Sequence, residues 1–302
     1  MSTNPRWPEL PYEAWKDTYA TLHMWMQMAG KVAVALAPPI NHSWGSAFQM
    51  TPRGISTPML PHDDRAFTIE FDFIDHQMVV RATDGIVKRM ALGPRPVAGF
   101  HAAFIELLSS VGLDAKIWPM PVEVPDPVRF DRDMAHHHYD AEWANRAWRV
   151  FVSAWRVLNA CRAPFIGKES PAHFFWGSFD LAVTRFNGKP APPREGPAFM
   201  REAYSHEVIS HGFWPGNAML PEPAFYGYAA PEPAGLKTAA IAPSAAYYHA
   251  ELGEFILPYE AVRTSADPEA MVRAFVESTY AAAADLGGWD RKALERPAGA
   301  AL

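Results

Sequence analysis

The stretch from residue 66 to residue 92, AFTIEFDFIDHQMVVRATDGIVKRMAL, indicates the fold class of this 302-residue chain. Apolar and polar residues alternate from Phe67 to Phe73, and this period of two predicts a strand with one buried face and one wet face. A second strand is expected around Met78 to Arg81. The pair Asp84-Gly85 is typical of a two-residue hairpin turn into Ile86 to Leu92. These features together predict an antiparallel sheet.

Helical periodicity flanks this sheet. Apolar residues at helical spacing predict four helices: Tyr12 to Val32, Val97 to Val111, Ala141 to about Arg162 with Asp140 as N-cap, and Pro268 to Leu286. Further strands are expected at Trp44 to Met50, His173 to Thr184, Ala224 to Tyr228 and Glu254 to Leu257. Gly30 is interpreted as marking the last turn of the first helix.

The two halves of the chain resemble each other. Each runs from a helix through a proline-containing connection to a Trp-Gly-Ser strand, at Trp44 and at Trp176, and then to further strands and a helix. We therefore expect an α+β fold of two similar helix–antiparallel-strands–helix units, produced by internal duplication. The boundaries are 1–117 for the first unit, 118–140 for a proline-rich linker, and 141–302 for the second unit, which carries the candidate site.

Charge and composition exclude several classes of protein. The net charge is −6, whereas a nucleic-acid-binding protein normally carries a basic excess. The single cysteine, Cys161, excludes an internal disulfide and fits a reducing compartment. The first residues lack the pattern of a signal peptide, and no run of 18 apolar residues could span a membrane. We expect a cytoplasmic protein with neither nucleic acid nor membrane as partner.

Familiar catalytic motifs are missing from the sequence. It contains no GxGxxG, no GxxxxGK[ST] and no Gly-x-Ser-x-Gly, so neither a nucleotide cofactor nor a serine hydrolase of that type is expected. His206 and His211 flank Glu207, but they are five residues apart rather than four. They would therefore lie about 140° apart on a helix, and on opposite faces of a strand. A loop could still bring them together, or they could belong to a simple polar loop.

A second group of candidates follows Pro171. If this segment is a strand, Trp176, Ser178 and Asp180 share one face and form an aromatic wall beside two polar groups, while His173 lies on the other face. Arg185 could neutralise Asp180 or hold an anionic ligand. The segments Phe213-Trp214-Pro215-Gly216 and Phe225-Tyr226-Gly227-Tyr228 are further candidates for lining a cleft.

These residues support three hypotheses. The first is an enzyme that acts on a small organic molecule by proton transfer, with Glu207, His206 and His173 as catalytic residues and Trp176, Asp180, Arg185 and Trp214 as substrate-binding residues. In one variant, a divalent metal binds His211 together with His173 or His206. The alternative is a non-catalytic binding protein whose aromatic pocket encloses a small molecule. The third is an interaction protein that docks through its proline-rich segments.

Three long motifs carry a family resemblance. They are Trp7-Pro8-Glu9-Leu10-Pro11 with the residues after it, the run PAHFFWGSFDLAVTR over residues 171–185, and MREAYSHEVISHGFWPG over residues 200–216. Together they resemble a bacterial family of uncharacterised proteins, classed only as a domain of unknown function. The resemblance covers nearly the whole chain. It implies a soluble bacterial protein but no reaction, cofactor or catalytic residue.

Overall fold

The structure, a computed structural model, describes residues 5–114 and 116–297. It confirms a mixed α+β fold with two antiparallel sheets. The helices are α1 (Tyr12–Leu36), α2 (Val97–Ser109), α3 (Ala141–Arg162), α4 (Ala198–Ala203), α5 (Tyr259–Thr264), α6 (Pro268–Leu286) and α7 (Arg291–Leu294), with 3-10 helices at Asn41–Ser46, Phe130–Arg132 and Leu236–Thr238. The strands are β1 (Gln49–Met50), β2 (Gly54–Ser56), β3 (Leu60–His62), β4 (Arg65–Asp72), β5 (Gln77–Ala82), β6 (Val87–Ala91), β7 (His173–Phe175), β8 (Asp180–Pro190), β9 (His206–Trp214), β10 (Ala224–Ala230), β11 (Tyr247–His249) and β12 (Glu254–Pro258).

The first sheet has the strand order β1-β2-β4-β5-β6, and β3 pairs with β4. The predicted hairpin between β5 and β6 is confirmed, and Gly85 adopts the positive φ that its turn requires. The prediction that one face of β4 is exposed to solvent is wrong in one respect, because Glu70 and Asp72 are buried. Their charges are compensated there, because Arg81 pairs with Glu70 and Arg53 pairs with Asp72.

The second sheet has the order β11-β12-β10-β9-β8-β7. It meets the first sheet through one backbone bridge, in which Phe48 and Phe174 exchange two hydrogen bonds of 2.8 and 2.9 Å. Helices α3 and α6 pack against one face of this second sheet. The opposite face, which carries Asp180, Ala182 and Tyr226, forms the floor of a cavity.

The long helices follow the predicted periodicity closely. Helix α3 begins after Asp140, whose carboxylate accepts a hydrogen bond from the Trp143 amide at 3.1 Å. Helix α6 is capped in the same way by Asp267 and ends at Gly287. Helix α1 is buried on nearly all sides from Trp15 to Ala33. A helix that is buried all round lies inside the molecule rather than on its surface.

Two predicted strands are wrong. In the first, residues 41–46 form 3-10 turns that are interrupted at His42 and Ser43, both with φ of 59°, and only Gln49–Met50 forms a strand. The expected strand from His173 to Thr184 is two strands separated by a turn, because Phe179 also has φ of 59°. Positive φ at residues other than glycine cannot belong to a regular strand, and the apolar pattern does not reveal it.

The proline-rich segment 118–140 contains only a short 3-10 helix, but it is packed against the rest of the chain. Phe130 and Tyr139 are buried, and the side chain of Gln27 in α1 hydrogen-bonds both the amide and the carbonyl of Val122 at 2.7 Å. One continuous core includes apolar residues from before and after this segment. The internal duplication is not confirmed. Among the described residues, no helix has the length and apolar character needed to cross a membrane.

Candidate functional site

A cavity of about 780 Å³ lies on the face of the second sheet that is opposite to α3 and α6. Its floor is built from side chains that share this face on four strands, because alternate residues of a strand point the same way. Its walls come from the end of α1, the 3-10 helix at residues 41–46, the segment 116–123 and α4. The floor residues are Asp180, Ala182, Thr184, Phe186, Val208, Ser210, Trp214, Tyr226, Tyr228 and Glu254.

Trp176 forms one aromatic wall, and a glycine in α1 makes room for it. A Cβ atom on Gly30 would lie 2.1 Å from the Trp176 ring, so no larger residue fits without displacing the indole. The indole Nε1 donates a hydrogen bond to the Ser46 carbonyl at 3.0 Å. Gly30 was interpreted as the last turn of the helix, which is wrong: α1 continues to Leu36.

Asp180 is the most buried carboxyl in the cavity, with 7% of its surface exposed. Its two oxygens accept hydrogen bonds from the hydroxyls of Ser178 and Tyr226. Burial raises the pKa of this carboxyl, and the two hydroxyl donors oppose that effect. Tyr226 reaches Asp180 across β9 because Gly212 lies beneath it: a Cβ there would be 2.4 Å from the phenol oxygen.

Glu254 provides a second carboxyl on the floor. Burial, with a smaller contribution from the nearby Asp180, raises its pKa to about 7. Glu123 lies at the rim, and its carboxylate approaches the turn so closely that a Cβ on Gly177 would be 2.4 Å from it. The acidic groups of the cavity therefore include a carboxyl that is poised to gain or lose a proton near neutral pH.

The rest of the floor combines hydroxyl groups with aromatic rings. The hydroxyls of Tyr204 and Tyr228 hydrogen-bond each other at 2.8 Å, and those of Thr184 and Ser210 do so at 3.0 Å. The rings of Tyr226 and Tyr228 are stacked, with centroids 6.1 Å apart. An apolar and aromatic lining with a few convergent polar groups is typical of sites that bind small molecules.

Helix α4 is fastened over the cavity through His42. The Nδ1–H of His42 donates to the Glu202 carbonyl, and its backbone amide donates to the Glu202 carboxylate, both at 3.0 Å. The ammonium of Lys168 donates to Nε2 of the same ring at 2.6 Å. Burial, followed by the charge of Lys168, lowers the pKa of His42, so the ring is held neutral between these partners.

Of the predicted site residues, the structure brings together Trp176, Asp180 and Trp214, which all line the cavity. His173 lies beside Trp44, with ring centroids 6.3 Å apart, but it is not part of the lining. Its Nδ1 has no hydrogen-bond partner among the described residues, and burial lowers its pKa to about 4. His173 is therefore neutral at physiological pH.

The remaining predicted residues lie elsewhere on the same sheet. His206 stands at the start of β9, where its Nδ1 is 3.0 Å from the Ser205 hydroxyl, and Glu207 accepts a hydrogen bond from Asn187 at 2.5 Å. His211 is buried on the face under α6, where Nε2 contacts the Thr279 hydroxyl at 2.9 Å. Arg185 does not face Asp180. Its side chain is on the helix-covered face, where it pairs with Glu169 at 3.3 Å.

These positions do not support the metal variant of the first hypothesis. His211 and His206 are separated by the plane of the sheet, since residues five apart in a strand point to opposite faces. Within the described ranges, no group of three or more His, Cys, Asp and Glu side chains is placed to hold a metal ion.

Sequence reasoning missed Glu254, Glu123 and His42 as parts of the site. Glu254 lies in a strand far along the chain, and only the strand order β12-β10-β9-β8 brings it to the same cavity floor as Asp180. The aromatic segment at 225–228 did provide a signal: Tyr226 and Tyr228 line the cavity, while Phe225 points into the core.

Comparison with known proteins gives one result. The searches of curated proteins and of solved structures return no match. Residues 7–296 match a family whose description is "Family of unknown function (DUF5996)". The match spans nearly the whole sequence, including all three motifs that carry the resemblance to an uncharacterised family. The chain therefore belongs to the DUF5996 family.

Proposed function

We propose that this protein binds a small organic molecule in the cavity above the second sheet. The observation that carries the proposal is the cavity of about 780 Å³ itself, with its aromatic walls and its few polar groups gathered on the floor. Sites for small molecules have this composition and size. The aromatic pocket anticipated from Trp176 and Trp214 belongs to this binding function.

The proposal can be tested with variants in which a larger side chain on the floor fills part of the cavity. Ala182 and Ser210 are buried on the floor, and Ala182→Phe or Ser210→Phe would occupy part of its volume with a ring. A fragment library is screened by saturation-transfer NMR, and the affinities of the hits are measured by calorimetry. We expect saturable binding that is lost in the filled variants, whose fold is checked by circular dichroism. Ala240→Phe, at an exposed residue outside the lining, is the matched control.

Binding that survives in a folded Ala182→Phe variant would contradict the proposal. So would a library that gives no hit displaced by either floor variant. Binding that is lost equally in Ala240→Phe would show that the effect of a new ring is not specific to the cavity.

A second candidate function is proton-transfer catalysis on the bound molecule. It is favoured by Glu254, because a carboxyl with a pKa of about 7 can act as an acid or a base at neutral pH. The catalytic roles of Glu207, His206 and His173 stay predictions; unlike those residues, Glu254 lies within the lining. Incubating a hit with the protein and following it by mass spectrometry separates the two functions. If the protein is an enzyme, Glu254→Gln should stop product formation while binding continues.

Several finer expectations belong to the same proposal. The acidic net charge supports a protein without a nucleic-acid partner, and the single cysteine supports a cytoplasmic location. A bacterial origin is supported by the resemblance of the three motifs. The proposed duplication of two units is supported by the similar order of elements in the two halves and by the Trp-Gly-Ser repeated at Trp44 and Trp176.

A further inference from the structure

The floor of the cavity carries acidic groups that have no basic partner. Asp180 is buried, yet among the described residues its side chain is bonded only to two neutral hydroxyls. Glu254 lies on the same floor and forms no ion pair within the described part of the chain. A buried carboxylate without a compensating cation is costly, and proteins normally pair such a group.

The lysine side chains around the cavity lie at its rim or contact residues other than the floor carboxyls. The ammonium of Lys31 lies 5.0 Å above the ring of Trp118 at the rim. Lys116 is exposed at the same rim. Lys168 is held by the His42 ring and by the faces of Trp44 and Phe186. Among the described residues, none of these lysines forms an ion pair with Asp180 or Glu254, and the floor residues named above include no lysine or arginine.

We propose that the ligand of this cavity carries an amine or ammonium group, which Asp180 and Glu254 hold among the aromatic rings of the floor. This inference rests on the proposed function. The faces of Trp and Tyr rings attract cations, and Trp176, Trp214, Tyr226 and Tyr228 supply such rings beside the two carboxyls. The combination of aromatic rings and uncompensated carboxyls therefore selects a cation over an anion.

The state of Asp180 supports a cation over a neutral ligand. Burial raises the pKa of this carboxyl, but both of its oxygens accept hydrogen bonds from hydroxyl donors, which favour its charged form. A neutral ligand would leave that charge uncompensated. An organic ammonium supplies the missing charge and, when it carries N–H groups, donors for the remaining acceptor sites.

The rim indicates the rest of the ligand. Trp118, Val34 and Phe199 surround the opening and are 64%, 59% and 40% exposed. Exposed apolar side chains around an opening are suited to contact an apolar part of the ligand while its cationic group lies at the floor. The chemical class is thus an organic amine with an apolar or aromatic body.

The test compares three compounds that share one body and differ in charge: 4-phenylbutylamine, 4-phenyl-1-butanol and 4-phenylbutyrate. Calorimetry at about pH 8 keeps the amine protonated and lies above the pKa of Glu254, which is about 7. We expect the amine to bind at least about ten-fold more tightly than the alcohol, and the carboxylate to bind most weakly.

Variants locate the source of this preference. Asp180→Asn and Glu254→Gln should each reduce the amine-to-alcohol affinity ratio at least about three-fold, because each removes a floor charge. Asp285→Asn is the matched control: Asp285 is a surface carboxylate paired with Arg291 outside the cavity, and its loss should leave the ratio unchanged. Should Asp180→Asn fail to fold, Glu254→Gln provides the same measurement.

The outcomes separate this inference from the proposed function. Equal binding of amine and alcohol, or tighter binding of the carboxylate, would overturn the cationic ligand. If Ala182→Phe still abolished that binding, the cavity would remain a binding site. A failure of all three compounds to bind would overturn the inference, and binding that Ala182→Phe leaves intact would overturn the proposed function as well.

Discussion

The two faces of the second sheet treat buried charge in opposite ways. Under the helices, Arg185 is only 4% exposed; it pairs with Glu169 and lies 4.3 Å from the centroid of the Tyr280 ring. On the cavity face, Asp180 is buried to a similar degree, but within the described ranges its side chain is bonded only to the hydroxyls of Ser178 and Tyr226. The same strand, β8, supplies both residues. Charge on the helix face is paired within the chain and serves the fold, whereas in our proposal the charge on the cavity face is compensated by a ligand.

The largest effect on stability is expected from removing the buried ion pair of Arg185 and Glu169 on the helix face. Arg185→Met removes the cation and leaves Glu169 buried without one of its partners. We expect a loss of about 3–5 kcal/mol in the free energy of unfolding, measured by urea denaturation. Arg291→Met is the control, since that arginine forms more exposed ion pairs and should cost less than about 1 kcal/mol. Equal losses in the two variants would contradict this account of the helix face.

A smaller effect is expected in the pH dependence of stability, through Glu254 on the cavity face. Burial raises the pKa of Glu254 from 4.5 to about 7, so the folded state holds this proton more tightly than the unfolded state does. The ligand-free protein should therefore lose stability as the pH rises from about 4.5 to about 7, by at most about 3 kcal/mol from this group.

Glu254→Gln should remove that contribution and flatten the dependence of stability on pH. Thermal unfolding of both proteins across this range measures the difference, and Glu169, whose pKa is raised to about 6, contributes equally to each. The same pH slope in the variant and the wild type would show that Glu254 is not the group responsible.

The smallest expected effect concerns Asp180. Asp180→Asn keeps an acceptor for Tyr226 and removes an uncompensated charge, so stability should stay within about 1 kcal/mol of the wild type or rise. On the other face, Glu169→Gln should lower stability, because it leaves Arg185 without its carboxylate. Thermal unfolding of both variants at neutral pH tests this contrast, and a large loss in Asp180→Asn would mean that the carboxylate serves the fold.

The helices could be predicted well from the sequence because their determinants are local. The apolar stripe and the Asp140 cap define the start of α3, and Asp267 with Gly287 bounds α6. The backbone at His42 and Phe179 could not be predicted in the same way. Both residues have φ of 59°, a conformation held by the surrounding structure rather than by the side chain's own preference.

The site was predictable in part for a related reason. Trp176, Ser178 and Asp180 are neighbours in sequence, so a short pattern suggested their association. Glu254 joins them only through the order of strands in the sheet, which no local pattern contains. The residue types of His206, Glu207 and His211 suggest a catalytic or metal site from the sequence. In β9, however, successive side chains alternate between the two faces, and this separates His206 from Glu207 and His211.

The arrangement of tryptophans has a practical consequence. Of the 11 tryptophans in the chain, Trp44, Trp118, Trp176 and Trp214 border the cavity. Indole emission responds to the polarity of its surroundings, and an incoming ligand replaces water beside these rings. Intrinsic fluorescence therefore offers a label-free signal of occupancy. Replacing the four indoles one at a time with phenylalanine would show which wall a compound touches before any complex has been crystallised.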